Sequence, residues 1–206
     1  GTPKQTATLK SHEVKAMFES IPKNKNFLFH RAILGVGFYT GLRNTEITNI
    51  TFGNIIQSEG FTALRIKIKH KKNDEPHVIP IHPVLKKYLD EYLEELVSRG
   101  VDTKNKEGYL FTCSRKDFKD KKPLTAEGLA YIFNKALDQA GIPRDGDKRY
   151  SPHCMRRTMG NHMEKKGVPL FRIQKVYGHE SADTTVGYLD RDNNLVDSGV
   201  WSVNYV

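Results

Sequence analysis

The sequence predicts an α+β fold, mainly α-helical, with a small antiparallel β-sheet of about three strands on one edge. Apolar residues recur with helical period in several separate segments, whereas strict alternation is confined to one short stretch, ALRIKIK. That stretch runs into a charged turn, HKKNDEP, and a second strand-like segment, HVIPI, which together read as a hairpin with a basic tip. Upstream, NTEITNITF reads as a short helix turning into a further strand.

Taken in order, residues 1–10 are polar, contain Pro3 and read as a linker. A helix is expected from about Ser11, with Ser11 as N-cap and Val14, Met17, Phe18 and Ile21 facing the core. The denser run FLFHRAILGVGFYTGLR predicts a buried helix that stops at the Thr40-Gly41 turn. In the first hairpin strand, Leu64, Ile66 and Ile68 alternate with Arg65, Lys67 and Lys69, giving one apolar and one basic face. After Pro83, the residues Leu85, Leu89, Tyr92, Leu93 and Leu96 make one helical stripe. Residues 100–123 are loop-like around YLFTC, and Thr125 opens an amphipathic helix through Ala140. Residues 150–189 read mostly as helix, broken at Gly167-Val168-Pro169 and at Gly178. No internal repeat or composition change divides the chain, so residues 11–206 are expected to be one domain.

Basic residues number 33 against 24 acidic ones, a formal charge of +9, which favours a polyanionic partner and nucleic acid first. The bland alternative is a basic but indifferent protein. Cys113 and Cys154 lie far apart and in no metal-ligand spacing, so neither a disulfide framework nor a zinc site is expected, and a reducing compartment fits. The longest apolar run is far short of a membrane span, and no membrane partner is expected.

Three places combine basic residues with local breakers. In TGLRNTE, Arg43 follows a glycine turn and Glu46 lies three residues on, placed to orient the guanidinium; the plain reading is a surface ion pair. In SPHCMRRTMG, His153 and Arg156 share a helix face, with Ser151 as N-cap and Pro152 in the first turn, so an anion there would also gain from the helix dipole. Arg157 is adjacent but points elsewhere, as a backbone-phosphate or structural residue. In GHESADTTVGYLD, Tyr188 taken alone would be a core or interface residue. A phenol of pKa ~10 is a poor nucleophile at neutral pH. It becomes useful against a phosphodiester whose charge is neutralised by arginines, with a histidine to move the phenolic proton and a lysine to protonate the departing alkoxide.

TGLR, HCMR at 153–156, Gly178-His179 and Tyr188 nine residues after His179 occur in the order that resembles the tyrosine recombinases, or phage-integrase family. The resemblance runs from Ser11 to Leu189 and implies that family's catalytic-domain fold. It implies that Arg43 and Arg156 clamp the scissile phosphate, that His153 assists proton transfer and that His179 contacts the phosphate. Tyr188 would be the nucleophile, forming a 3′-phosphotyrosyl bond and releasing a 5′-hydroxyl. The hairpin lysine lies eight residues before the proline of the returning strand, which selects Lys72, with Lys71 as its neighbouring alternative. Glu46 matches an acidic position supporting the site. Departures are Tyr177, where relatives carry leucine, Arg157, where they often carry histidine, and Asp190, where many carry histidine.

The resemblance implies a site-specific DNA recombinase catalytic domain that integrates or excises a mobile element without metal or other cofactor. Its partners would be a double-stranded recombination site, three further copies of the protein on a synapse, and accessory DNA-bending proteins; isolated, the domain would be a monomer. Lys67, Lys69, Lys71 and Arg157 would bind DNA. The N-terminal helical domain of relatives is expected to be missing from this chain, and the place of action to be the bacterial cytoplasm and nucleoid. Two alternatives are a type IB topoisomerase-like relaxing activity and a non-catalytic basic DNA-binding module. The apolar tail VWSVNYV either folds back on its own core or docks on a neighbouring protomer.

Overall fold

The computed structural model describes residues 2–57, 64–69, 76–113, 122–177 and 199–206. In chain order these form β1 (Gln5–Thr6), α1 (Ser11–Glu19), α2 (Phe27–Thr40), α3 (Asn44–Thr48), a 3₁₀ turn, β2 (Ile55–Gln57), β3 (Leu64–Lys69) and β4 (Pro76–Pro80). Then follow α4 (Pro83–Ser98), α5 (Ala126–Gln139), β5 (Lys148–Arg149), α6 (His153–Lys165) and α7 (Leu170–Val176). The expected mainly helical α+β architecture is observed, with β2, β3 and β4 forming an antiparallel sheet in that order.

Helix α2 is the axis of the core. Every residue from Ala32 to Thr40 is buried, as its nearly unbroken apolar sequence requires, and α4 and α6 pack against it. The stripe of α4 buries Leu85, Leu89, Tyr92 and Leu96, and the Tyr92 hydroxyl donates to the Leu110 carbonyl at 2.8 Å. Thr125 caps α5 as expected, its Oγ1 accepting the Gly128 N–H at 3.0 Å, an interaction worth about 1 kcal/mol.

Several local expectations change. Residues 1–10 are not all linker: Gln5 and Thr6 pair in parallel with Lys148 and Arg149, and Ala7 and Leu9 are buried in the core. A two-residue pairing with a distant segment has no periodicity to reveal it. The N-cap of α1 is Lys10, whose N–H bonds Glu13 at 2.9 Å, while the Ser11 hydroxyl meets His162 Nδ1. In α6 the cap is Pro152 rather than Ser151, because the preceding turn is tight, with Cys154 N–H on the Ser151 carbonyl. The 100–123 region is stitched by isolated bridges, Thr51 to Tyr109 and Thr112 to Pro123. On β3, Ile66 and Ile68 are buried and Lys67 is exposed, but Arg65 is also buried, beside its buried cross-strand partner Pro80. The basic face therefore reaches solvent at Lys67.

The C-terminal residues 199–206 lie on the chain's own core, burying Val200, Val203 and Tyr205. The Tyr205 hydroxyl donates to the Phe38 carbonyl at 3.0 Å, and its ring meets Phe38 and Tyr39 edge-on. Two histidines hold this segment. His82 Nε2 donates to the Val203 carbonyl while Nδ1 accepts the Val84 N–H; His162 Nε2 accepts the Asn204 N–H. Each ring must stay neutral to accept a backbone N–H, and burial holds both pKa values below 6.5, helped at His162 by Lys166 and Lys165. Below that pH the unfolded chain binds more protons than the folded one, so stability rises with pH through this range and falls on acidification. The melting temperature is expected to stay nearly level from pH 8 to 7 and to drop below about 6.5, with a smaller drop in His162→Gln. Thermal scans across pH check this; an unchanged slope in the variant would remove His162 from the explanation.

Candidate active site

The turn that ends α2 builds the first corner of the site. Gly41 stops the helix at φ +64°, a left-handed conformation that an L side chain adopts only with strain. The Leu42 side chain is buried, and Arg43 follows in extended conformation as the N-cap of α3. Glu46, at the third helical position, accepts the Arg43 backbone N–H at 2.7 Å and its Nη1 at 3.3 Å. One carboxylate thus caps α3 and orients the guanidinium, so more than a surface ion pair is present. The Arg43 side chain remains 45% exposed, available to an external anion.

Helix α6 supplies the second corner. His153 is exposed in its first turn, while Arg156, one turn on, is only 6% exposed. Arg156 Nη1 donates to the Gly41 carbonyl at 2.6 Å, and Nη2 to the Tyr177 carbonyl at 3.4 Å. The arginine of HCMR is therefore tied directly to the TGLR turn. Burial lowers the pKa of Arg156, and the nearby Arg43 lowers it further, against opposing contributions from Tyr177 and Glu46. His153 is held below its ordinary value by partial desolvation of its ring, then by Arg156, Arg157, Arg149 and Arg43. Four guanidinium groups acting on one imidazole define a concentrated positive field that an anion would relieve. That field disfavours the imidazolium form of His153.

Two residues near this corner carried no recognisable sequence signal. Arg149 reaches the cluster because β1 and β5 pair immediately before α6. His77, on β4, donates from Nε2 to the Val176 carbonyl at 2.8 Å, tying the hairpin to the end of α7. Arg157 is exposed, and its Nε donates to Thr8 Oγ1 at 3.2 Å, a link to the N-terminal segment consistent with its structural alternative. Lys67 is exposed on β3, and Lys69 ends that strand. Lys71, Lys72, His179 and Tyr188 lie outside the described residues.

Tyr177 lies against Arg156, the guanidinium carbon 4.2 Å from its ring centroid. Its hydroxyl donates to the Arg156 carbonyl, and burial pushes its pKa up to about 12 despite the neighbouring Arg156 charge. A phenol so engaged and so reluctant to ionise is poorly suited to act as a nucleophile.

A helical core with a small antiparallel sheet thus carries two arginines joined through a glycine turn, with a histidine in their field, an arrangement suited to an anion. The phage integrase family matches residues 7–194, and the chain belongs to that family. Among its relatives, the tyrosine recombinase XerA of Pyrococcus furiosus is 31% identical over 181 residues, covering 88% of this chain and 56% of that protein. The chain thus spans little more than half the length of that relative. Solved structures of similar fold include a XerA recombinase, with TM-score 0.68 and 23% identity over 95% of this chain and 64% of the other. Another is the XerH site-specific recombinase bound to its difH substrate before cleavage, with TM-score 0.67 and 21% identity over 98% of this chain and 51% of the other.

Proposed function

We propose that this chain is the catalytic domain of a site-specific DNA recombinase that cuts and rejoins strands through a 3′-phosphotyrosyl intermediate. The observation that carries the reading is the junction of Arg43, Arg156 and His153: two guanidiniums joined through the Gly41 turn, with an imidazole in their field. Membership of the phage integrase family supports it, as does the DNA-bound state of the structurally similar XerH.

In the proposed reaction Arg43 and Arg156 hold the non-bridging oxygens of the scissile phosphate and stabilise the charge that builds at phosphorus. The Tyr188 hydroxyl attacks phosphorus, and His153 accepts the phenolic proton. The bond from phosphorus to the 5′-oxygen breaks, and that oxygen leaves as a hydroxyl after taking a proton from Lys72. His179 contacts the phosphate. A 5′-hydroxyl from the other duplex reverses these steps, releasing the tyrosine. One phosphoester replaces another throughout, so no nucleotide is consumed. The full reaction would use four protomers on two duplexes. Lys67, Lys69, Lys71 and Arg157 would contact the DNA backbone.

A pool of nicked suicide duplexes with randomised cores tests this reading. The expected result is a denaturant-resistant protein–DNA adduct, lost in Tyr188→Phe; sequencing of the trapped DNA locates the cut. DNA binding without an adduct would leave only a binding module, and relaxation of supercoiled DNA without joining between sites would favour a topoisomerase. Lys67, exposed on β3, gives a second expectation. Lys67→Ala weakens duplex affinity to a similar degree across sequences and reduces the steepness of its salt dependence by about one unit in log–log slope. Binding measured from low to moderate salt checks this; an unchanged slope would exclude a phosphate contact.

A further inference from the structure

We infer that Tyr177 is a positioning residue for Arg156, fixing the plane of its guanidinium before DNA arrives; the inference rests on the recombinase reading above for its catalytic consequence. The two residues engage each other three times. The Tyr177 hydroxyl donates to the Arg156 backbone carbonyl, Arg156 Nη2 donates to the Tyr177 carbonyl, and the guanidinium carbon lies 4.2 Å from the Tyr177 ring centroid. The hydroxyl is therefore clamped to the turn of α6 that carries Arg156, and the ring it anchors becomes the surface on which the guanidinium stacks.

Space for this ring is made by two glycines from different helices. A Cβ on Gly160 would collide with the Tyr177 hydroxyl oxygen, and one on Gly41 would fall 2.6 Å from its Cε1. Gly41 also supplies the carbonyl that receives Arg156 Nη1. The ring, the Gly41 carbonyl and the Tyr177 carbonyl thus hold the guanidinium by its face and by two of its edges. A leucine at position 177 offers neither a flat face nor a hydroxyl, so the stacking surface and the clamp would both disappear.

Arginine has many rotamers, and a charge already aimed at the phosphate stabilises the transition state without reorganising during the reaction. Misplacement of a catalytic group by about 1 Å costs up to roughly a hundredfold in rate. A core-filling role for Tyr177 would alter stability without acting through Arg156, which separates the two explanations.

The experiment compares single-turnover cleavage, duplex affinity and melting temperature for wild type, Tyr177→Phe and Tyr177→Leu, each alone and with Arg156→Lys. At a temperature where the variants are folded, Tyr177→Leu is expected to cleave about 10–100-fold more slowly, with affinity changed less than about threefold. Tyr177→Phe keeps the stacking face and is expected to fall between Tyr177→Leu and wild type. In the Arg156→Lys background, which lacks the planar fork, Tyr177→Leu is expected to add little further loss of cleavage while still lowering the melting temperature. Wild-type cleavage by folded Tyr177→Leu, or an equal loss in both backgrounds, would overturn the inference. If Tyr177→Leu does not fold, Tyr177→Phe decides the matter: cleavage at the wild-type rate would overturn it. Guanidinium NMR supplies a readout independent of DNA chemistry. Restricted rotation at Arg156 is expected in wild type, faster rotation in Tyr177→Leu and an intermediate rate in Tyr177→Phe; equal mobility in all three would reject positioning even if no cleavage occurred. Absence of a wild-type adduct, by contrast, would reject the recombinase reading and leave the NMR result standing.

Discussion

Arg156→Ala is expected to slow cleavage by about 10²–10³-fold while duplex affinity changes far less, because the lost guanidinium acts mainly on charge that builds at the transition state. That factor corresponds to about 2.7–4 kcal/mol, comparable to removing one preorganised donor from an oxyanion site. The structure makes Arg156 the more sensitive of the two arginines. It is buried, stacked on Tyr177 and bonded to the Gly41 carbonyl, so water cannot easily substitute for it. Arg43 is held by Glu46 and is more exposed; Arg43→Ala is expected to show the same separation of cleavage from binding. Single-turnover rates and equilibrium binding measured on the same duplex check both. Equal losses in cleavage and affinity would mean that the arginines bind ground-state DNA only.

The second large effect is expected at Gly41. Gly41→Ala places a Cβ on a backbone at φ +64°, at a cost of about 1–2 kcal/mol before any clash. The added carbon would also meet the Tyr177 ring at 2.6 Å, with ring atoms that cannot simply rotate away. At roughly 2–4 °C per kcal/mol for a domain of this size, the backbone strain alone lowers the melting temperature by about 2–8 °C. Cleavage is expected to fall as well in protein that remains folded, since Gly41 carries the carbonyl that holds Arg156 and leads directly into Arg43. Calorimetry and cleavage assays at a temperature below the variant's transition separate the two effects. A variant with wild-type melting and wild-type cleavage would show that the turn is not strained and does not hold the site.

These expectations depend on features that were legible in the sequence to different degrees. The TGLR corner was legible because its rules are local: a glycine just past a helix, then a glutamate at the third position of the next one. The pairing of His153 with Arg156 followed from helical spacing alone. Arg149, His77 and the docking of Ala7 and Leu9 were not legible, since each depends on a partner far away in the chain. Arg65 misled for a related reason, because alternation assigns a face but not how far neighbouring elements cover it. Tyr177 was visible as a departure from the family, but its use of space left by Gly41 and Gly160 requires two helices to be brought together.

The most direct test of the proposed chemistry is to digest the trapped protein–DNA adduct and identify the modified residue by mass spectrometry. The nucleotide-bearing peptide is expected to contain Tyr188, joined to the 3′-phosphate of the cleaved strand, with Tyr177 unmodified. Attachment at Tyr177 or at any other residue would contradict the assignment of the nucleophile, and attachment through a 5′-phosphate would contradict the proposed reaction itself.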